Sequence, residues 1–265
     1  MEQTRFKRKT VTMEILQSQQ EKKSLRRTVF YIGLFLIVTA VFLTVSFAVF
    51  FKVRTINING NNRYSNEEII ESLQVKTEDN LYSFKTEDIE KAIKRKFPYV
   101  ASVQVSRKIP SSLNIKITET DAAMYISLEG GYYLLSRELR VLDRITDEKN
   151  LPNNIILLMA SAVQRCIVGE TASFVDTRSY DAVTELYRNI TDNNITSSVE
   201  TINIISRFDI YLQYEDRFSV YIGDMESSDI KVQFLTGIIA ELGDNDKGSI
   251  DVSNHADREA TVALS

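Results

Sequence analysis

Between Arg27 and Lys52 lie 24 residues, TVFYIGLFLIVTAVFLTVSFAVFF, without a single charged side chain. Only Thr28, Gly33, Thr39, Thr44 and Ser46 among them are not clearly apolar. As a helix this run extends ~36 Å at ~1.5 Å per residue, more than the ~30 Å hydrocarbon core of a bilayer. A core helix of a water-soluble domain keeps a polar face, and this run has none. A cleavable secretory signal has an apolar region of about 7–15 residues and an A-x-A-like end. This run is longer and closes on Phe50-Phe51-Lys52. An uncleaved membrane span over 28–51 is therefore expected.

Charge then sets the direction of insertion. Residues 1–27 carry eight Lys/Arg against three Asp/Glu, which leaves 24 basic and 33 acidic residues in 28–265. Cations on the short flank of a span hold that flank in the cytoplasm, so 1–27 is read as a cytoplasmic basic tail and 52–265 as extracytoplasmic. The tail, with Gln17-Ser18-Gln19-Gln20 at its middle, is expected to be disordered or frayed, its cations meeting anionic headgroups. Lys52 and Arg54 on the far side weaken the asymmetry without reversing it. The acidic outer part argues against nucleic acid as a partner.

A single cysteine, Cys166, rules out an intrachain disulfide. The outer part must hold together by its own apolar core, and its length allows this. Val53–Gly60 alternates apolar and polar residues, with Val53, Ile56 and Ile58 on a buried strand face and Gly60-Asn61-Asn62 as the turn. Ser65-x-x-Glu68 is a capping box that opens a helix with Ile69, Ile70 and Leu73 on one side. Thr86 opens a second helix carrying Ile89, Ala92, Ile93 and Phe97, which Pro98 stops. Val100, Val103 and Val105 belong to a strand, Lys108-Ile109-Pro110-Ser111 turns the chain, and Leu113, Ile115 and Ile117 line one face of the next strand. The order β-α-α-β-β lets two helices cover one face of a small sheet.

Several stretches in this region carry a resemblance: VRTINING at 53–60, NEEI at 66–69, NLYSFKTEDI at 80–89 and, most of all, FPYVASVQVSRKIPSSLNIKITET at 97–120. Placed directly after one span, they resemble the POTRA domain of the bacterial cell-division protein family FtsQ, called DivIB in Gram-positive bacteria. Pro98, Tyr99, Val103, Val105, Arg107, Pro110, Leu113, Ile115, Ile117 and Glu119 stand at the family's pattern positions. Tyr99 stands where Trp is common, and Thr120 and Ala122 where Arg and Pro are frequent.

Beyond this, Ala123–Leu128 and Tyr132–Ser136 read as strands around a Glu129-Gly130-Gly131 turn, followed by Leu139–Asp143. Ser179–Ile190 is expected to be a helix with Ala182, Val183, Leu186 and Ile190 aligned. Thr201–Ile205, Phe208–Gln213 and Phe218–Ile222 are strand candidates. Asp229–Leu242 is expected to be a helix with Ile230, Phe234, Ile238 and Leu242 on one side. Ser249–Ser253 and Glu259–Leu264 are the last strands, and a terminal strand lies at a sheet edge, open to pairing. The fold class is thus α+β. A transmembrane helix precedes a POTRA domain (52–121), a mixed β domain (122–253) with two or more helices, and a C-terminal strand or tail (254–265).

The resemblance implies a non-catalytic divisome scaffold, localised at the division septum, that binds FtsB/DivIC and FtsL partners and helps to regulate septal wall synthesis. It places the FtsB/DivIC edge strand at Asn254, Ala256, Asp257, Arg258, Thr261 and Val262. It places a POTRA recruitment surface at Ser102, Val105 and Arg107, although strand alternation leaves the side taken by Val105 open. No cofactor, metal or small-molecule substrate is expected. The one histidine, His255, has neither a cysteine nor a second histidine near it, too few ligands for zinc. Cys166, in VQRCIV, reads as a buried small hydrophobe. No G-x-S-x-G, S-x-x-K, Walker A or G-x-G-x-x-G motif occurs. Two rival readings remain: an anchored cell-wall hydrolase or peptidase, which needs a nucleophile–base pair or a metal, and a POTRA-type chaperone of exported polypeptides, which ordinarily carries repeats that this chain lacks.

Overall fold

The basic segment and the apolar run form one continuous helix, α1 (Glu2–Phe50). This departs from the frayed tail expected for 1–27. The segment contains neither Gly nor Pro and is rich in Glu, Lys, Arg, Gln and Met, all good helix formers, so nothing local stops the helix before the span. From Thr28 to Phe50 the helix carries no charge, and none of its residues is buried in the protein. The computed structural model describes residues 2–128, 130–160, 163–206, 208–254 and 260–264.

Contacts divide the chain into two compact units. One comprises Met1–Asn57, Val75–Lys85 and Arg107–Asn114. The other comprises Ile58–Gln74, Thr86–Ser106 and Ile115–Ser265. After α1 the chain runs β1 (Thr55–Asn59), α2 (Asn66–Ser72), α3 (Thr86–Lys96), β2 (Val100–Lys108) and β3 (Ser112–Glu119). The three strands form a sheet in the order β1-β3-β2. At the start of α2 the capping box is made: Glu68 N–H donates to Ser65 Oγ and Ser65 N–H donates to the Glu68 carboxylate. Ile69, Leu73, Ile89, Ile93, Leu113, Ile115 and Ile117 are buried as the periodicity predicts, whereas Ile70 is exposed. A seven-residue helix offers only a narrow buried stripe, and Ile69 and Leu73 fill it.

A nine-stranded sheet dominates the rest. Its strands are β4 (Met124–Leu128), β5 (Gly131–Leu135), β6 (Val141–Ile145), β7 (Ile156–Ala160), β10 (Val199–Ser206), β11 (Asp209–Tyr214), β12 (Phe218–Gly223), β13 (Gly248–Asp251) and β14 (Thr261–Leu264). Their order is β14-β13-β12-β11-β10-β7-β4-β5-β6. A small separate hairpin pairs β8 (Val163–Arg165) with β9 (Ser173–Phe174). Two helices, α4 (Thr177–Asp192) and α5 (Ser228–Glu241), share one apolar cluster with the sheet. Register aligns the sheet side of that cluster: Leu158 lies beside Ile202, then Leu212, Val220 and Ile250 on successive strands. All five are at most 1% exposed, and α4 adds Ala182, Val183, Leu186 and Ile190.

Helix α5 keeps part of the expected stripe, with Phe234, Ile238 and Leu242 half-buried against the cluster, and departs from it elsewhere. It buries Ser228, Lys231, Val232 and Leu235, while Ile230 is exposed. The helix is apolar on nearly every side, so spacing alone does not select its inner face. Lys231 can turn inward because its Nζ donates to the Asp224 carboxylate at 2.8 Å and to the Asp224 carbonyl at 2.9 Å. Nearby, Asn189 donates to Ser228 Oγ at 2.8 Å, and Ser228 donates to Glu185 at 3.1 Å.

The opposite face of β5 and β6 is buried as well. Leu134 points away from the helix-covered cluster that holds Leu135, and packs with Tyr99 and Leu142 in a second cluster edged by Tyr64 and Tyr125. Arg140 reinforces this junction, donating from Nε to the Pro98 carbonyl at 2.8 Å and from Nη2 to the Lys94 carbonyl. Arg63 lies 3.8 Å over the Tyr99 ring. Removing this ring leaves a cavity, so Tyr99→Ala is expected to lower the unfolding free energy by about 3 kcal/mol, measured by chemical denaturation of the full chain.

Glu200, at the start of β10, holds one buried carboxylate oxygen, Oε2, without a hydrogen-bond partner. Burial pushes this carboxyl above its ordinary range, and the charges of Asp216 and Glu215 add to the effect against hydrogen bonds from the Asp216 and Glu200 backbone. A carboxyl raised in the folded state favours folding at low pH and loses that advantage as pH rises through its folded value. Glu200→Gln is therefore expected to melt higher than the parent near neutral pH, with the difference closing as pH falls through the carboxylate range. Melting curves across pH check this.

Candidate functional site

β14 lies at one end of the nine-stranded sheet and pairs antiparallel with β13 along Gly248↔Leu264, Ser249↔Ala263, Ile250↔Val262 and Asp251↔Thr261. Among the described residues no strand pairs with its outer side. The strand rests closely on Gly248: a Cβ added there would meet the Ala263 carbonyl oxygen at 1.9 Å, so only glycine admits β14 at this distance. The buried row that begins at Leu158 reaches its last position at Val262, which is 36% exposed, and Leu264 on the same face is 57% exposed. An edge strand with apolar side chains and unfilled backbone groups is chemically suited to accept another strand.

The other face of the same strands is polar and aromatic. Asn203, Tyr211, Tyr221, Asp251 and Thr261 form a continuous cross-strand row ending on β14. The Tyr211 and Tyr221 rings stack at 4.8 Å. Beside them, a shallow trough of about 390 Å³ is lined by Met159, Thr201, Asn203, Ile205, Tyr211 and Gln213, among others. A larger open groove of about 600 Å³ runs along α4, between Arg137, Tyr180, Tyr187 and Arg188.

Of the residues expected at the C-terminal edge, Thr261 and Val262 are in β14 and Asn254 is exposed ahead of it. Ala256, Asp257 and Arg258 lie outside the described residues, as does His255. Ala263 and Leu264, inside the expected Glu259–Leu264 strand but not among the expected contact residues, complete it. The period-two pairing of Val262 with Leu264 is the signal that could have found them.

On the first sheet, β2 is an edge strand. Ser102 is exposed, and Val105 is half-buried with its N–H donated to the Glu90 carboxylate at 2.8 Å, which closes the edge at that point. Arg107 is half-buried, and its guanidinium donates to the Leu81 carbonyl at 2.7 Å and the Phe84 carbonyl at 2.5 Å. The far edge of the large sheet, β6, is partly closed by a loop: Val141 N–H donates to the Glu170 carbonyl, and Gly169 N–H donates to the Val141 carbonyl.

With this geometry in view, the comparisons with known proteins are specific. Residues 51–120 match the POTRA domain of FtsQ type. Over 248 residues, 91% of this chain and 93% of the relative, the sequence is 24% identical to the cell division protein DivIB of Clostridium botulinum (strain Hall). It is 25% identical over 174 residues, 65% of each chain, to DivIB of Bacillus subtilis (strain 168). It is 20% identical over 215 residues, 80% of this chain and 90% of the relative, to the cell division protein FtsQ of Corynebacterium glutamicum. The chain carries a POTRA domain of FtsQ type and resembles cell division proteins named DivIB and FtsQ along most of its length. It also has an N-terminal apolar helix long enough to cross a membrane.

Chemistry-bearing groups are sparse among the described residues. Among the described residues no group of three or more His, Cys, Asp or Glu side chains is arranged to hold a metal ion. Cys166 is half-buried against the sheet–helix cluster, and burial pushes its thiol above the ordinary range. A thiol of that kind is a poor nucleophile. Cys166 is expected to react with iodoacetamide several-fold more slowly than a free thiol near neutral pH, and to catch up only as pH rises, followed by mass spectrometry of the folded chain.

Proposed function

We propose that this chain is a non-catalytic assembly factor of the bacterial division machinery, anchored by α1 with its N-terminus in the cytoplasm and its folded parts outside. Its work is to hold partners together at the septum by lending them a sheet edge. The partner supplies an extended segment that pairs along the outer side of β14, adding main-chain hydrogen bonds. The same segment covers Val262 and Leu264 with its own apolar side chains. Partners of the FtsB/DivIC and FtsL type fit this role, as the family resemblance suggests. The observation that carries the reading is the buried cross-strand row that reaches an exposed end at Val262, on a strand whose outer side pairs with no other among the described residues. Asn254, Ala256, Asp257 and Arg258, which precede the strand in sequence, are proposed to contribute side-chain contacts.

Ser102 and Val105 on β2 are proposed as the POTRA recruitment surface. Arg107 supports it indirectly, by fixing the carbonyls of Leu81 and Phe84.

Deleting 261–264 from the full-length chain tests the edge. These side chains are exposed, so the melting temperature and membrane association are expected to stay close to those of the parent. Capture of the FtsB/DivIC-type partner from solubilised dividing cells is expected to be lost. Undiminished capture by the deleted chain rejects β14 as the docking strand.

A further inference from the structure

The span does not end in a loose tether. The last carbonyls of a helix run short of intrahelical donors; here Asn80 and Leu81 donate to two carbonyls at the helix end, of which Phe47 also accepts from Phe51 N–H at 3.4 Å. Asn80 Nδ2 donates to the Phe47 carbonyl at 3.3 Å, and Leu81 N–H donates to the Phe51 carbonyl at 2.6 Å. Lys52 bridges to Asn80 through the backbone, and its Nζ pairs with Glu78 at 2.9 Å. Val53 N–H and the Val53 carbonyl then bond Asp79 and Glu78. The Tyr82 ring lies 5.4 Å from Phe47 and 5.5 Å from Phe51, and those two rings are 4.8 Å apart. Arg107 ties down the same loop, its guanidinium 5.5 Å over Tyr82 and 5.6 Å over Phe84. The β2–β3 turn is fastened too: Arg54 and Thr55 N–H both donate to the Ser111 carbonyl, three and four residues past Phe51. At the tip of that turn Ile109 is 63% exposed.

Charge gives this compact unit a partner. Beyond the span it carries Lys52, Arg54, Lys76, Lys85, Arg107 and Lys108 against only Glu78 and Asp79. Everything else after residue 27 holds 18 basic and 31 acidic residues. The cations are thus gathered where the chain leaves the span, beside an aromatic trio and an exposed isoleucine. Aromatic rings settle at the border of hydrocarbon and water, and Lys and Arg near an anionic surface contribute about 1 kcal/mol each. We infer that residues 52–54, 80–85 and 107–110 form a lipid-docking surface that binds the anionic phospholipid headgroups of the outer leaflet, with Ile109 dipping into the interface. This fixes the folded part in orientation instead of leaving it to swing on the span. The inference rests on the anchor reading given under the proposed function.

The absence of tryptophan from the chain makes the test clean. Single Ile109→Trp, Tyr82→Trp and Phe42→Trp variants of the full chain are placed in nanodiscs made with brominated lipids. The discs contain either phosphatidylcholine alone or phosphatidylcholine with phosphatidylglycerol. Quenching of the reporter at 42 establishes the span. Quenching at 109 and 82 is expected with phosphatidylglycerol, and at 109 it is expected to be lost with phosphatidylcholine alone, at high salt, or after Arg54→Glu with Lys108→Glu. Quenching at 42 without any at 109 in the phosphatidylglycerol discs overturns the docking surface and leaves the anchor standing. Equal quenching at 109 in both lipids and in the charge-reversed variant overturns recognition of anionic headgroups. No quenching at 42 overturns the anchor reading and this inference with it.

Discussion

The large sheet depends on one buried row. Leu158, Ile202, Leu212, Val220 and Ile250 meet side by side across five strands, and α4 and α5 lie in the same cluster. Each strand is held by its neighbours' backbone and by a side chain sealed from water, which is why strands distant in sequence share one register. The row has to end somewhere, and it ends at Val262, where the strand is short and its side chains are exposed. The core of the domain and its candidate docking edge are one continuous structure. Stability declines toward the edge because burial declines.

The sheet's other end shows how an open face is closed instead. There β5 is buried on both sides, Leu135 against the helix-covered cluster and Leu134 against Tyr99, with Arg140 donating to the carbonyls at the end of α3. Aromatic packing and charge-assisted hydrogen bonds to helix-end carbonyls join the α3–β2 turn to the large sheet.

Much of this was legible in the sequence because the deciding interactions are local. The Ser65–Glu68 capping box, the stop at Pro98, the alternation of Leu113, Ile115 and Ile117, and the apolar faces of α3 and α4 each need only a few neighbouring residues. Three features were not legible. The strand β7 is a short apolar run, and such runs carry no periodicity that tells strand from helix. α5 turns Lys231 inward on the strength of Asp224, a partner seven residues away across the helix start. Arg107 looks like an exposed recruitment residue in a pattern, yet its guanidinium is spent on the Leu81 and Phe84 carbonyls.

The sequence by itself determined the apolar run, the β-α-α-β-β order, the family resemblance and the existence of a terminal strand, because hydrophobic period, capping and turn chemistry act over a few residues. Only the tertiary structure decided that β14 pairs with β13 and leaves its outer side open. The same holds for Tyr99 and Arg140 joining α3 to the large sheet, and for a loop thirty residues downstream packing on the end of α1. Those outcomes depend on which distant backbone donors and acceptors meet, and on how much apolar surface their meeting removes from water. No local pattern encodes either quantity.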